Sequence, residues 1–305
     1  MLQMSGAWSE EDIALQFRGA LAIATSRWRE AWQIRNLYHP PIIRFDRPTK
    51  TLPVSLTGWA CALKCAHCNG HYLRHMQPIW EVQPNGAKSF LISGGCDPVG
   101  RVPVTAHLEK VARLRQGRRL NWHVGLIGEE ELRLIAPYVD VISFDMVGDA
   151  ETAREVYGLA LTLDDYLRTF DLLRRYAPVV PHLTIGLRGG QLSGERAVLR
   201  ALEARKPEAL IFLVLIPTEG TAFAHCKPPL LAEVTELLLE ARLMLPETRL
   251  LLGCMRPHGA YRQKLDELAL RAGVNGIVNP SLNAERVAIG LGLHIVWGEE
   301  CCALP

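Results

Sequence analysis

The chain has 305 residues, 49% of them hydrophobic and 22% charged, with a formal net charge of +2. That composition admits one large soluble domain with a sizeable core, and so small a net charge excludes recruitment of nucleic acid or an anionic membrane by bulk charge. The longest apolar runs, such as residues 210–216, are strand-sized and too short to span a bilayer. The acidic start (Glu10, Glu11, Asp12) lacks the basic-then-apolar order of a secretory signal, so a cytoplasmic protein without nucleic-acid or membrane partners is expected.

In chain order, Ser9 followed by Asp12 reads as a helix start, and residues 23–37 read as a second helix ended by His39-Pro40-Pro41. Arg18, Arg27, Arg29 and Arg35 on these helices are expected to face water or the wall of the main domain. Residues 1–50 therefore form an N-terminal helical extension, and residues 51–305 one domain with a C-terminal tail. From residue 52 onward, β-branched apolar runs alternate with amphipathic stretches. The strands expected are 52–57, 89–93, 121–126, 139–144, 179–187, 209–216, 249–252 and 276–279; the clearest helices are 107–116, 163–176, 195–205, 229–245, 262–272 and 284–291. Thr162 with Asp165 has the form of a capping box, Pro228-Pro229 suits a helix start, and Gly273 suits a helix end. Regular alternation means parallel strands with right-handed crossovers, and eight units fit an α/β fold closed as a (β/α)8 TIM-type barrel. A doubly wound open sheet is the rival that periodicity leaves standing.

The eight cysteines are unevenly spaced: Cys61, Cys65 and Cys68 fall close together, Cys301 and Cys302 are adjacent, and Cys96, Cys226 and Cys254 stand singly. In a reducing compartment such clustering reads as metal ligation before cross-linking. The run Thr57-Gly58-Trp59-Ala60-Cys61-Ala62-Leu63-Lys64-Cys65-Ala66-His67-Cys68 follows the first strand of the main domain, which puts three thiolates in a βα loop at the C-terminal mouth where barrel enzymes keep their active sites. Three thiolates on one loop can hold three irons of a cubane and leave the fourth open to a chelating ligand. Zinc, with His67 or His71 as fourth ligand, is the competing reading; the second Cys pair that zinc sites usually use is missing.

Cys-x3-Cys-x2-Cys after a first barrel strand resembles the radical S-adenosylmethionine (SAM) superfamily, and the likeness extends along most of the chain. It implies a [4Fe–4S] cluster on Cys61, Cys65 and Cys68, SAM chelated at the open iron, and reductive cleavage to a 5′-deoxyadenosyl radical. His67 stands where the family usually has an aromatic residue near adenine. Ser93-Gly94-Gly95-Cys96-Asp97 matches the family's Gly-Gly-Glu segment, whose glycines expose backbone to the methionine amino group, with Asp97 replacing the acid one position on. Ser143 and Asp145 share one face of a strand end and would contact the ribose, as polar residues there do in biotin synthase-like members. Arg188, in Ile185-Gly186-Leu187-Arg188-Gly189-Gly190, and Ile216, before Pro217-Thr218, match the segments that line the adenine.

The remaining cysteines point to a second, auxiliary [4Fe–4S] cluster on Cys226, Cys254, Cys301 and Cys302, with Cys96 as a substitute ligand and Arg256 as a further one, as an arginine is in biotin synthase. For any single cysteine the bland alternative is a small buried hydrophobe, but an exposed terminal pair would oxidise readily. Leu251–Pro280 and the Cys-Cys tail resemble the biotin synthase and lipoyl synthase-related group, in particular one component of the two-protein lipoyl synthases. The likeness implies a sulfurtransferase that adds sulfur to an octanoyl chain on a lipoyl carrier protein or peptide, using a sacrificial auxiliary cluster. A second radical SAM protein and an electron donor such as ferredoxin or flavodoxin would be its partners. Biotin synthase-like sulfur insertion, or modification of a peptide or small molecule beside a cluster that is not consumed, are the alternatives. So is a scaffold whose cysteines are merely structural. Arg188, Arg256 and His258 are the candidate anchors for a substrate carboxylate or amide.

Overall fold

A computed structural model describes residues 8–304. Its centre is a curled, all-parallel sheet of eleven strands: β1 (Ile42–Asp46), β2 (Thr51–Ser55), β3 (Gln77–Pro78), β4 (Ser89–Ser93), β5 (Arg119–His123), β6 (Val141–Asp145), β7 (Val179–Ile185), β8 (Ala209–Val214), β9 (Arg249–Leu252), β10 (Gly276–Val278) and β11 (His294–Gly298). The order is β11-β1-β10-β9-β8-β7-β6-β5-β4-β2-β3. The eight strands expected from alternation are all present. The closed eight-stranded barrel is not: three additional strands extend the ladder, and β3 and β11 are its two edges.

Strand β1 lies inside the segment counted with the N-terminal helices. Its Ile-Ile-Arg-Phe-Asp alternates too briefly to stand out after Pro40-Pro41, and it forms because β10 and β11 flank it on both sides. Helices Glu10–Leu21 and Thr25–Tyr38 pack on helices Leu231–Met244 and Gly259–Arg271. Ser9 and Asp12 form the anticipated capping box, and Arg27 pairs with Glu236 at 3.0 Å. Arg35, expected at the surface or the wall, is fully buried and donates to Ile42 O at 2.7 Å, pinning the second helix to the start of β1.

Strands covered on both faces must be apolar on both, but the two faces here differ in kind. Outward residues such as Phe90, Trp122, Ile142, Phe144, Phe212 and Leu252 are buried against the helical layer. Helix Leu163–Leu173 shows how the sequence builds that layer. Thr162 and Asp165 cap it reciprocally, and Tyr166, Leu167, Phe170 and Leu173 recur on one buried face. The concave face carries Asn121, His123, Ser143, Asp145 and His182 at matched levels, since His123 is in register with Ser143 and Asp145 with His182. Below them, Val141, Val180, Ala209, Ile211 and Leu251 form a separate apolar patch, filled by Ala303 and Leu304 of the chain's own C-terminus.

After β11 the tail crosses the open seam of the sheet. Glu299 O accepts from Lys50 N–H, and Cys301 N–H donates to Thr51 Oγ1 at 2.7 Å. Glu299 pairs with Lys88 and Glu300 with Arg119, beside the first residues of β4 and β5. Among the described residues no helix is long and apolar enough to cross a membrane.

Candidate functional site

The Cys61–Cys68 loop leaves β2 and is fixed by short polar contacts. Ser55 Oγ donates to Gly58 O at 2.6 Å, and Thr57 Oγ1 donates to Ala60 O at 2.8 Å while accepting from Gly95 N–H at 2.7 Å. Cys96 N–H donates to Cys61 Sγ at 3.3 Å, and Cys96 O accepts from Ala62 N–H at 2.8 Å. The end of β4 thus forms a backbone cradle under the cysteine loop. Gly95 is required there by contact rather than by its φ: a Cβ would lie 1.9 Å from Ala60 O and 2.6 Å from the Cys61 Cα.

The three cysteines gather at one point of the mouth together with Cys96, Leu63 and Leu159. Cys65 and Cys68 share a thiol–thiol hydrogen bond, which raises the pKa of Cys65, as burial also does, and lowers that of Cys68 to about 7 against the effect of burial. A backbone N–H on one sulfur and a shared proton between the other two fit a site built to carry negative sulfur, as a cluster demands. Among the described residues no three His, Cys, Asp or Glu side chains converge as a single metal ion would need.

Beside the loop lies an open cleft lined by Leu63, Cys96, His123, Asp145, Tyr157 and Tyr166, among others. Burial pushes the Tyr157 and Tyr166 hydroxyls well above their ordinary range, so both stay protonated donors. His123 and His182 stack edge to face at 5.3 Å, and desolvation lowers both, His182 to about 4. They are neutral near pH 7, and His182 Nδ1 lies 3.1 Å from Val180 O. His67 packs edge-on to Tyr157 at 5.6 Å; its buried Nδ1 has no hydrogen-bond partner among the described residues, and desolvation lowers its pKa to about 4.

The other residues singled out in the sequence fall into different places. Asp145 opens onto the cleft, whereas Ser143 sits at its floor with its hydroxyl donating to Asn121 Oδ1. Asp97 Oδ1 is occupied by the Val99 and Arg101 N–H groups of its own turn. Arg188 is held by Glu155 and Glu151 at 2.6 Å each, a network that also keeps its guanidinium from acting as a free anchor. Ile216 is half-buried at the end of β8, its carbonyl accepting from Thr218 Oγ1. Gly94 rests on Thr57, part of the same cradle as Gly95.

The four cysteines proposed for a second cluster are not gathered together. Cys226 packs on Gly189 in a loop tied to the first cysteine loop through Phe223 N–H and Ala66 O, and only burial raises its thiol. Cys301 and Cys302 reach the concave face as a hydrogen-bonded pair, with that bond lowering Cys301 to about 7 and raising Cys302. Cys254 is exposed by area, but atoms crowded around its sulfur push its thiol up, and Cys301 adds to the rise. The structure therefore brings Cys254, Cys301 and Cys302 within electrostatic reach of one another. It leaves Cys226 at the mouth and places the substitute, Cys96, with the first three cysteines. Arg256 is fully buried and committed to Asp266, Gly253 O, Val278 O and Asn279 O, so it braces the end of β9 rather than facing a ligand. His258 precedes helix Gly259–Arg271 as its N-cap, and burial lowers its pKa.

Sequence reasoning passed over Asn121, His123, His182, Tyr157 and Tyr166. The legible signal was polar residues at alternate positions of otherwise apolar strands, as in Asn-Trp-His of β5 and Pro-His-Leu of β7.

No family model matches the chain, and no curated protein does. Solved structures do. Methylornithine synthase (PylB) has a TM-score of 0.65 at 13% identity over 94% of each chain. The FeFe-hydrogenase maturase HydG from Carboxydothermus hydrogenoformans has a TM-score of 0.65 at 15% identity, covering 96% of this chain and 77% of its own. SuiB of Streptococcus suis, solved bound to S-adenosylmethionine, has a TM-score of 0.50 at 14% identity, covering 82% and 61%. At these identities the likeness is one of fold, and it extends over nearly the whole chain.

Proposed function

We propose that the chain is a radical SAM enzyme whose Cys61, Cys65 and Cys68 hold a [4Fe–4S] cluster beside the cleft. The observation that carries this reading is the placement of three neighbouring cysteines on one loop after β2, cradled by Gly94–Cys96 and lying beside an open cleft. When bound, the cluster and SAM supply a 5′-deoxyadenosyl radical and, in sulfur-inserting enzymes, a second cluster supplies sulfide. The chain's own part is to bind and to orient. Asp145 would accept from ribose hydroxyls, Tyr157 and Tyr166 present protonated donors and aromatic faces, and the neutral His123–His182 pair lines the path towards the tail. The helical layer and the tail close the far side, and so limit water around a reactive intermediate.

The finer reading is sulfur insertion. Cys301 and Cys302 on the concave face, with Cys254 within electrostatic reach, support it, because they set a second group of cysteines apart from the first. On that reading the substrate is an octanoyl chain on a lipoyl carrier protein. A second radical SAM protein adds the other sulfur, and ferredoxin or flavodoxin delivers the electron. The test is anaerobic reconstitution with iron and sulfide counting, Mössbauer spectra and product analysis. About eight irons as two cubanes, with sulfide transferred to an octanoyl carrier, is the expected result. About four irons with 5′-deoxyadenosine formed from SAM would keep the radical chemistry and exclude sulfur insertion. No SAM cleavage at all would overturn both.

A further inference from the structure

The C-terminal tail is docked by contacts of several kinds, and one of them is a side-chain hydrogen bond to sulfur. Asn121 Nδ2 donates to Cys301 Sγ at 3.3 Å. Asn121 is fully buried at the centre of β5, a position where an aliphatic residue would ordinarily be cheaper. Its amide is also fixed in orientation. Ser143 Oγ, itself buried on the neighbouring strand, donates to Asn121 Oδ1 at 2.9 Å, which leaves the NH2 group to face the sulfur. The Cys301 backbone is held from the other side by Thr51 Oγ1, and Leu304 is fully buried in the apolar patch below. Three strands thus converge on one cysteine sulfur: β2 through the backbone, β5 through the amide and β6 through the hydroxyl that orients the amide.

We propose that Asn121 is a positioning residue for the Cys301 sulfur as a metal-cluster ligand, and that its N–H raises the reduction potential of the cluster held there. The proposal rests on the reading of Cys254, Cys301 and Cys302 as ligands of a second cluster. The physical ground is general. An amide N–H donated to a ligand thiolate draws charge from the sulfur and so favours the more negative, reduced cluster; such outer contacts also fix ligand geometry. Ser143 acts one step further out, by keeping the amide turned the right way. Cys301 then differs from Cys302 beside it, because only Cys301 receives this donor among the described residues.

The experiment is an EPR-monitored redox titration of the full-length chain, reconstituted anaerobically, with the first cluster as internal reference. Asn121→Asp keeps the shape and loses the donor, Asn121→Ala removes the side chain, and Ser143→Ala frees the amide to turn. The expected result is a lower midpoint potential of the second cluster in both Asn121 variants and a smaller drop in Ser143→Ala, with the first cluster unmoved. Unchanged potentials with both clusters retained would overturn the proposal while leaving the second cluster standing. A wild-type chain that holds only about four irons would overturn the second cluster and the proposal with it, before any variant is made. Should the Asn121 variants lose both clusters by misfolding, Ser143→Ala decides, since it removes one hydroxyl and no strand contact.

Discussion

At the scale of single residues, the site depends on close approach as much as on ligands. Gly95 is the clearest case, because any Cβ there meets the Ala60 carbonyl at 1.9 Å and the Cys61 backbone at 2.6 Å, and both belong to the cysteine loop. Gly95→Ala should therefore force the loop away from β4, cost about 3 kcal/mol by overpacking, and reduce iron loading at the first site. A thermal melt and an iron count on the same sample check this; normal loading and an unchanged melt would show that the loop can move without loss. Arg256 and Asp266 make the converse point. Both are fully buried, and the carboxylate also accepts from Ser281 N–H at 2.7 Å. Asp266→Ala should destabilise the chain by about 3–5 kcal/mol, because it strands a buried guanidinium. A denaturant titration reads this loss directly, and a change under 1 kcal/mol would mean that the arginine had found water or another partner.

At the scale of elements, the C-terminal tail behaves as a part of the sheet's interior that arrives last in the chain. Its ends are bound in two ways of unequal strength. The Lys88–Glu299 pair is more than half exposed and screened by solvent, so it contributes little, whereas Leu304 is fully buried among Val141, Val180, Ala209, Ile211 and Leu251. Leu304→Ala should therefore cost about 2–4 kcal/mol, and Glu299→Ala far less. Equal and negligible costs would show that the tail is not docked in solution. The sequence made the tail conspicuous through its paired cysteines but could not say where it goes. Cys301 meets Asn121 across 180 residues of chain, and no local pattern encodes such a contact. The same limit hid β1 and β11, each five residues long and stabilised by neighbours distant in sequence. By contrast, Thr162–Asp165 and Ser9–Asp12 were legible as helix starts because a cap is satisfied within three residues. The Cys61–Cys68 loop was legible for the same reason, while the separation of Cys226 from Cys254 and the tail follows from sheet curvature.

At the scale of the whole molecule, buried imidazoles make folding sensitive to acid. His39, His67 and His182 all have pKa values lowered to about 4, chiefly by desolvation, against an ordinary 6.5. The folded state therefore holds these rings neutral, while the unfolded chain protonates them below pH 6.5. Their contribution to stability is full above about pH 6.5 and is lost progressively as pH falls towards 4. For His182, the shift imposed by its surroundings corresponds to about 3 kcal/mol. Asp46 and Glu195 act in the opposite sense, since burial raises both and the folded state then gains from their protonation at low pH. The net expectation for the iron-free chain is a stability that declines between pH 6.5 and pH 4. Its slope is set by these three histidines together with His123 and His258, which burial also lowers, less whatever the two carboxyls return. His182→Gln should flatten that decline by about one proton, seen as a smaller pH dependence of the urea midpoint. An unaltered slope in this variant would mean that water already reaches the concave face. The cleft would then be wetter than the stacking of His123 on His182 implies, and less able to shelter a radical.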